Sequence, residues 1–405
     1  VSASVGDFRS QVGNYKNSVI DALNSTGLLG GNVSAIFSGA GAAGAVGAGL
    51  GLAAVGVKKL FDLNKEISSL QASVQKTTQL TEEQVNSLTE SLIALDTVTT
   101  IEDLLKISEI AGRLGVQGEK GVLQFTQAIE KLSIALGDEF TGGAGQITDE
   151  VGRLSNVFFG ATQDGEVLAN NVLSIGNALN VLAANGASTA PVITDFSTRI
   201  GGLGIPLGVT AGEILGISAT LQELNVSAER GGTAVGRIFQ ELTQAPEAFA
   251  KELGITKKTL QDAGFQVNSF TDLVNTDLVG ALQFAGTRIL ELNGNNTELA
   301  DTLKELKING SGELEVLLKL AQGNERLSQN INLANRSLLS QDSLTAEVAT
   351  RQENLAGVTA RLTNNIRELF VSSGAEGFFT SLVSGANDAV KSFGELFGAI
   401  KKARE

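Results

Sequence analysis

The chain has 405 residues, with 30 Lys and Arg against 44 Asp and Glu for a net charge of −14, and no Cys, His, Met or Trp. Without Cys or His there is no disulfide framework, no Cys/His zinc site, no haem-attachment motif, and no thiol nucleophile or histidine base. The negative charge repels phosphates, and the short basic pairs Lys58-Lys59, Lys257-Lys258 and Lys401-Lys402 read as solvated helix ends, so sequence-specific nucleic-acid recognition is not expected.

A chain of this length buries a sizeable core, and two or three domains are the ordinary expectation. It opens on Val1 and contains no Met, so it is expected to be an excerpt of a longer protein. Pro191, Pro206 and Pro246 are the only prolines, all in the middle third, whereas glycine is abundant at 48 residues. Those glycines are expected mainly at helix ends and in one low-complexity run, where they punctuate helices.

Phe8, Val12, Tyr15, Val19 and Leu23 recur at spacings of three and four and predict an amphipathic helix within residues 1–27. From Ala22 to Val57 no residue is charged, a run long enough to cross a bilayer. Inside it Ala35, Gly39, Ala43, Gly47 and Gly51 form a small-residue stripe suited to close helix contact, between copies of the chain or with a membrane. Interior glycines weaken an isolated helix, each by roughly 1 kcal/mol relative to Ala. Large apolar side chains are also sparse there, which favours a close-packed helix or hairpin shielded by other chains over a membrane span. Gly39-Ala40-Gly41-Ala42-Ala43-Gly44 matches the dinucleotide fingerprint. That fold needs a second strand ending in an acid, and Lys58 to Glu66 continues with helical periodicity instead, so no cofactor is expected.

Leu60, Leu63, Ile67, Leu70 and Val74 form a three-four seam, and Thr81-Glu82-Glu83 restarts a helix carrying Val85, Leu88, Leu92 and Leu95. Two heptads fit a coiled coil or an ordinary helical hairpin equally well. From Thr99 to about Gly323 helices alternate with Gly/Asn corners. Val167 to Thr194 is a second uncharged run with Leu168, Val172, Ile175, Leu179 and Leu182 on one face. Asn170, Asn171, Asn177 and Asn180 lie on the rest of that helix and argue against lipid exposure, so a partly buried helix in a bundle is expected.

The stretch from Leu224 to Leu242 is a tight helix–turn–helix. One helix stops at Asn225, which tolerates the left-handed conformation, Val226 folds back, and Ser227 is placed to cap the next helix. That second helix carries Ala234, Ile238 and Leu242 on one face, with Gly232 and Gly236 where a neighbour could approach closely. The construction recurs from Leu114 to Leu132, where Leu, Val, Glu and Gly repeat in step and Phe125, Ile129 and Leu132 follow. Similar helix stops are expected at Leu203-Gly204-Ile205, Leu253-Gly254-Ile255 and Leu306-Lys307-Ile308, at irregular spacing that is not a strict solenoid. No stretch shows the sustained alternation of a half-buried strand, so the class is all-α.

From Leu327 to Glu405 the chain is more polar. Leu355, Val358, Leu362, Ile366 and Leu369 make another seam, Gly374 to Gly377 breaks it, and Phe378, Phe379, Phe393 and Phe397 follow at helical spacing. The organisation expected is an amphipathic helix over 1–27, an Ala/Gly-rich apolar segment over 28–57, coiled-coil-like helices over 58–98, a helical core over 99–325 and extended helices over 326–405. Together these make an irregular bundle of helix-turn-helix units flanked by longer helices.

Glu213-Ile214-Leu215-Gly216 to Leu224, Val226 to Ala234, Phe239-Gln240-Glu241-Leu242, Phe249 and Leu253-Gly254-Ile255 together resemble the core region of phage tail tape measure proteins. Leu355 to Leu369 with Gly377-Phe378-Phe379 is similar to how that core ends, and Gly39 to Glu66 to what precedes it, so the likeness covers most of the chain. It implies a ruler in the lumen of the tail tube that sets tube length during assembly in the host cytoplasm and leaves ahead of the genome at infection. The partners it implies are tail tube and tail tip proteins, tail assembly chaperones, parallel copies of the same chain, and the host membrane.

No catalytic, cofactor-binding or metal-ligating residue is expected. Gly115 to Lys120 has the wrong spacing for a phosphate loop. A glycoside hydrolase needs only carboxylates, and Glu119, Glu213 and Glu229 are the candidates, but each sits where an acid serves the first turn of a helix. The alternative readings are a pore-forming helical protein that inserts the Ala/Gly segment into membranes and, further off, a helical peptidoglycan hydrolase.

Overall fold

The computed structural model describes residues 65–95, 97–292, 296–308 and 310–353. The stripe Ala35, Gly39, Ala43, Gly47 and Gly51, the helix expected within 1–27 and the seam from Leu355 onward lie outside the described residues. All regular structure among the described residues is helical, and the protein is all-α. The described residues divide into two compact units, one within 65–76, 80–106 and 350–353, the other within 77–79 and 107–349.

In the first unit, the helical stretch described from residue 65 buries Ile67 and Val74, and α1 (Glu82–Ile93) buries Val85, Leu88 and Leu92. These are residues of the three-four pattern. Gln71 Nε2 donates to Thr89 Oγ1 at 3.0 Å, joining the two helices. Thr81 and Gln84 form a reciprocal capping box at the start of α1. The start of α2 (Ile101–Arg113) also belongs here, with Thr100 Oγ1 accepting from Asp103 N–H at 3.2 Å.

The second unit continues with α3 (Glu119–Leu136), α4 (Gly143–Phe159), α5 (Gly165–Ala184), α6 (Ala190–Gly204), α7 (Ala211–Glu223), α8 (Ala228–Gln244), α9 (Pro246–Glu252), α10 (Lys257–Asp262), α11 (Phe270–Thr276) and α12 (Leu278–Leu292). After α13 (Asn296–Glu305) come α14 (Ser311–Gln322), α15 (Asn324–Ser337) and α16 (Asp342–Glu353). The core follows from a few pairings. α3 lies against α5, α6 against α8 and α4, and α12 against α14, while α15 returns across α7 and α5. Phe125, Phe196, Phe239, Phe249 and Phe270 are the largest side chains shut off from solvent. Phe249 and Phe270 stack with centroids 6.4 Å apart, fastening α9 to α11. Each proline sits where its missing N–H does least harm: Pro191 and Pro246 in the first turns of α6 and α9, and Pro206 in a short 3-10 turn.

Six helix ends in this unit share one corner. A residue with positive φ follows the helix, and the next residue's N–H reaches back to a carbonyl of the last turn. The corners are Gly115-Val116, Gly208-Val209, Asn225-Val226, Gly254-Ile255, Gly264-Phe265 and Lys307-Ile308. At the central one Asn225 has φ of 58°, and Val226 N–H bonds Leu221 O at 2.9 Å. All six folded-back side chains are apolar. Val116, Val209, Val226, Ile255 and Ile308 are buried, and half-buried Phe265 packs edge-on to Phe284 at 5.7 Å.

Three local expectations are corrected. The stop at Leu203-Gly204-Ile205 is not a left-handed corner: α6 passes through Gly204 into a 3-10 turn at Ile205–Leu207, and the corner falls at Gly208. Pro206 removes an α-helical donor, so the hydrogen bonding tightens before it ends. Ser227 occupies the cap position of α8 with extended backbone angles, but its side chain makes no capping hydrogen bond. The glycines do more than punctuate, because many lie inside helices at crossings.

The crossings explain that second use. Gly232 and Gly236, one turn apart on α8, receive α6: a methyl on Gly232 would lie 2.7 Å from Arg199 Cβ, and one on Gly236 would lie 2.8 Å from Leu203 Cδ1. Gly212 and Gly216 on α7 receive α15 in the same way, against Asn335 and Ile331. At Gly216 the obstacle is backbone, since the methyl would sit 2.7 Å from Ile331 Cα. Gly-to-Ala in a helix interior ordinarily stabilises by about 1 kcal/mol. Gly202→Ala on α6, where a methyl meets nothing within 4 Å, is expected to raise the melting temperature, whereas Gly216→Ala lowers it. Thermal melts of the two variants beside the parent check both signs.

Candidate functional site

The residues around the Leu224–Leu242 corner gather the most developed polar network of the second unit. Glu223, at the end of α7, accepts from Arg326 Nε at 2.5 Å and Nη2 at 2.8 Å. Arg326 Nη2 also donates to Asn185 O at 2.7 Å, tying α15 to the end of α5. One turn on, Asn330 Nδ2 donates to Thr220 Oγ1 at 3.0 Å. Lys319 of α14 donates to the terminal carbonyl of Leu224 at 2.8 Å, the favoured placement for a cation at a helix C-terminus. Glu315 takes Lys319 at 3.1 Å and Arg230 of α8 at 3.2 Å, and Glu313 takes Arg237 at 2.7 Å.

These carboxylates titrate as members of ion pairs. The hydrogen bond from Arg237 holds Glu313 below its ordinary value of 4.5, against the upward push of burial. Lys319, then Arg230, holds Glu315 down in the same sense. Glu223 raises the Arg326 guanidinium, which stays charged at any accessible pH. The groups are mutually satisfied and hold helices together. None is left poised as an acid, base or nucleophile beside an opposing partner.

The candidate acids are not brought together. Glu213 closes a capping box, accepting from Thr210 N–H and Oγ1 at 2.8 Å each. Glu119 and exposed Glu229 stand in the first turns of α3 and α8. Three different helix starts are occupied, as expected of acids placed against helix dipoles. Beside the ion pairs, Arg237, Gln240, Glu241, Lys307 and Glu313 border a shallow recess of about 280 Å³, just under the roughly 300 Å³ at which small-molecule sites begin. No group of three metal-ligating side chains occurs among the described residues.

α5 is long and apolar enough to cross a membrane, and it sits as a core helix with Leu168, Val172, Ile175, Leu179 and Leu182 buried. Its asparagines divide. Asn170, off the apolar face, is exposed. Asn177 is buried and bridges the turn between α15 and α16, donating to Ser337 O at 2.8 Å and accepting from Leu344 N–H at 2.9 Å. Asn180 donates to Ser343 Oγ at 3.0 Å. The sequence signal for these anchors is a lone polar residue at a core position: Asn330 falls in step with Leu327 and Ala334, and all three are buried.

The family model described as phage-related minor tail protein matches residues 82–307, more than half of the chain. No curated protein and no solved structure matches.

The Glu313 pairing has a pH signature. A carboxylate whose folded-state pKa lies below 4.5 contributes stability that is present above 4.5 and lost as pH falls through the folded value. Denaturant midpoints are therefore expected to hold from pH 7 to about 5 and to fall below 4.5, with Arg237→Gln shallower in that acid limb than the parent. Urea titrations of both proteins across this range measure the difference.

Proposed function

The chain belongs to the phage-related minor tail protein family, and from that premise we propose that it is part of a tail tape measure protein. In this reading it lies in the lumen of the tail tube, sets tube length during assembly and leaves ahead of the DNA at infection. The observation that carries the proposal is the family match over residues 82–307 falling on an all-α core, three of whose charged side chains, Glu223, Arg230 and Arg237, are paired with helices that follow it. A ruler needs length, and helices supply it in proportion to residue count at about 1.5 Å per residue. The corners at Gly115, Gly208, Asn225, Gly254 and Gly264 keep the matched region from being one continuous rod. It acts as a folded station within a longer ruler, with length supplied by uninterrupted helices elsewhere.

The partners that follow are tail tube and tail tip proteins, tail assembly chaperones before the tube closes, and parallel copies of the same chain. The role has no bond-making step, no cofactor and no sequence-specific contact with nucleic acid. The stripe centred on Gly39 is the part of the sequence assigned to contact between copies or with the host membrane.

In-frame deletion of about 18 residues from an uninterrupted helical part of the full-length protein is expected to shorten the tail by about 27 Å. Negative-stain micrographs of assembled virions give the length directly, and tails of unchanged length would overturn the ruler. Release of dye from liposomes by the purified chain at neutral pH would favour the membrane-inserting alternative. Loss of turbidity from a peptidoglycan suspension, abolished by changing Glu119, Glu213 or Glu229, would favour the hydrolase.

A further inference from the structure

α15 is held in place differently from the helices it touches. It crosses α7 more extensively than any other pair of helices meets in the unit, yet the residues it buries are Leu327, Asn330, Ala334 and Ser337, with one large aliphatic side chain among them. By contrast α7 buries Ile214, Leu215, Ile217 and Leu221, and α8 buries Val235, Ile238, Phe239 and Leu242. Apolar area removed from water is the main force that keeps a helix docked, and α15 contributes less of it than α7 or α8, with Leu327 and Ala334 buried and Ile331 and Leu333 only half-buried. Its attachments are polar: Arg326 on Glu223 and Asn185 O, Asn330 on Thr220, and Ser337 O on Asn177. The shape of the contact comes from Gly212 and Gly216, which admit the α15 backbone without adding side-chain area. α16 continues the pattern, burying Leu344 and taking its backbone anchor from Asn177.

The neighbour on the other side differs. α14 buries Val316, Leu317 and Leu320, and it is joined to α15 through the single residue Gly323. By the residues each helix buries, Gly323 is the position at which the mainly apolar attachment of the chain gives way to a more polar one. Hydrogen bonds to partly buried charged groups hold only while the geometry does, and each is exchanged for water when the helix lifts, so the attachment of α15 rests on a few such bonds and is lost together with them.

We propose that residues 324–349 form a polar-latched strap that lifts from the second unit as a separate step, pivoting at Gly323, while α14 and the family-matched helices stay folded. The latch is Glu223 with Arg326 and Asn330. Lifting bares the Gly212–Gly216–Thr220 face of α7 and the Asn177 side of α5. It also frees the chain beyond Gly323 to be drawn away without dismantling residues 107–307. The proposal does not rest on the ruler reading, since it concerns the order in which helices let go.

Native-state hydrogen exchange of the full chain, read by mass spectrometry on peptides, tests it. In the regime where exchange reports opening equilibria, peptides within 324–349 are expected to exchange at least about tenfold faster than those of α6 and α8. Arg326→Ala strips Glu223 of its ionic partner and should speed the 324–349 peptides by about another tenfold, leaving α6 and α8 unchanged. Exchange of 324–349 at the rate of α6 and α8 in the parent would overturn the strap, and so would an Arg326→Ala effect spread equally over all three regions. Should Arg326→Ala fail to fold, the comparison within the parent protein decides alone.

Discussion

A helix that stops leaves carbonyl oxygens without donors, and the arrangement of the second unit rests on how that demand is met. At six ends the answer is the same: one residue enters the left-handed region, and the next returns its N–H to the last turn. The returning residue is apolar, so satisfying the local hydrogen bonds carries a side chain inward. Val116, Val209, Val226, Ile255 and Ile308 are all buried by it. A helix end and a piece of core are thus produced by one backbone event. The direction in which the chain leaves is fixed by it as well, which is why so many short helices pack without long loops.

Close approach is a second, separate device. Gly232 and Gly236 let α6 approach α8, and Gly212 and Gly216 let α15 approach α7, so that helices not joined by a corner meet backbone to side chain or backbone to backbone. Packing of this kind depends on shape more than on apolar area. It tolerates polar company, and the ion pairs from α7 and α8 to α14 and α15 lie beside it. The result is a unit in which registry is specified by glycine notches and paired charges, while cohesion comes from the Phe, Ile and Leu side chains of α3, α5, α6 and α8.

That division bears on function. The four carboxylates of that network, Glu213 closing a capping box with Thr210, Glu223 paired with Arg326, and Glu313 and Glu315 held down by Arg237 and Lys319, serve the packing of helices. Membership of the phage-related minor tail protein family fits such a chain. Its matched region ends at residue 307, whereas α14 and α15 pack on α8, α12, α7 and α5. The folded unit is therefore larger than the region by which its family is recognised.

The sequence by itself determined the helical class, the αL corner at Asn225, the buried faces Phe125-Ile129-Leu132 and Ala234-Ile238-Leu242, and the notch at Gly232 and Gly236. These depend on period, on single residue types and on neighbours within a turn or two, where the physics is local. It misplaced the corner after α6, because Gly204 and Gly208 both qualify and the hydrogen bonding around Pro206 chooses between them. It also read Asn177 only as a polar residue off the apolar face of its helix, and passed over Glu223, Arg326 and Lys319. Their partners lie about a hundred residues away or more: Asn177 meets Leu344, Glu223 meets Arg326, and Lys319 meets Leu224. Only the tertiary structure decided those pairings, since a polar side chain at a core position becomes an anchor or a penalty according to what the fold sets against it.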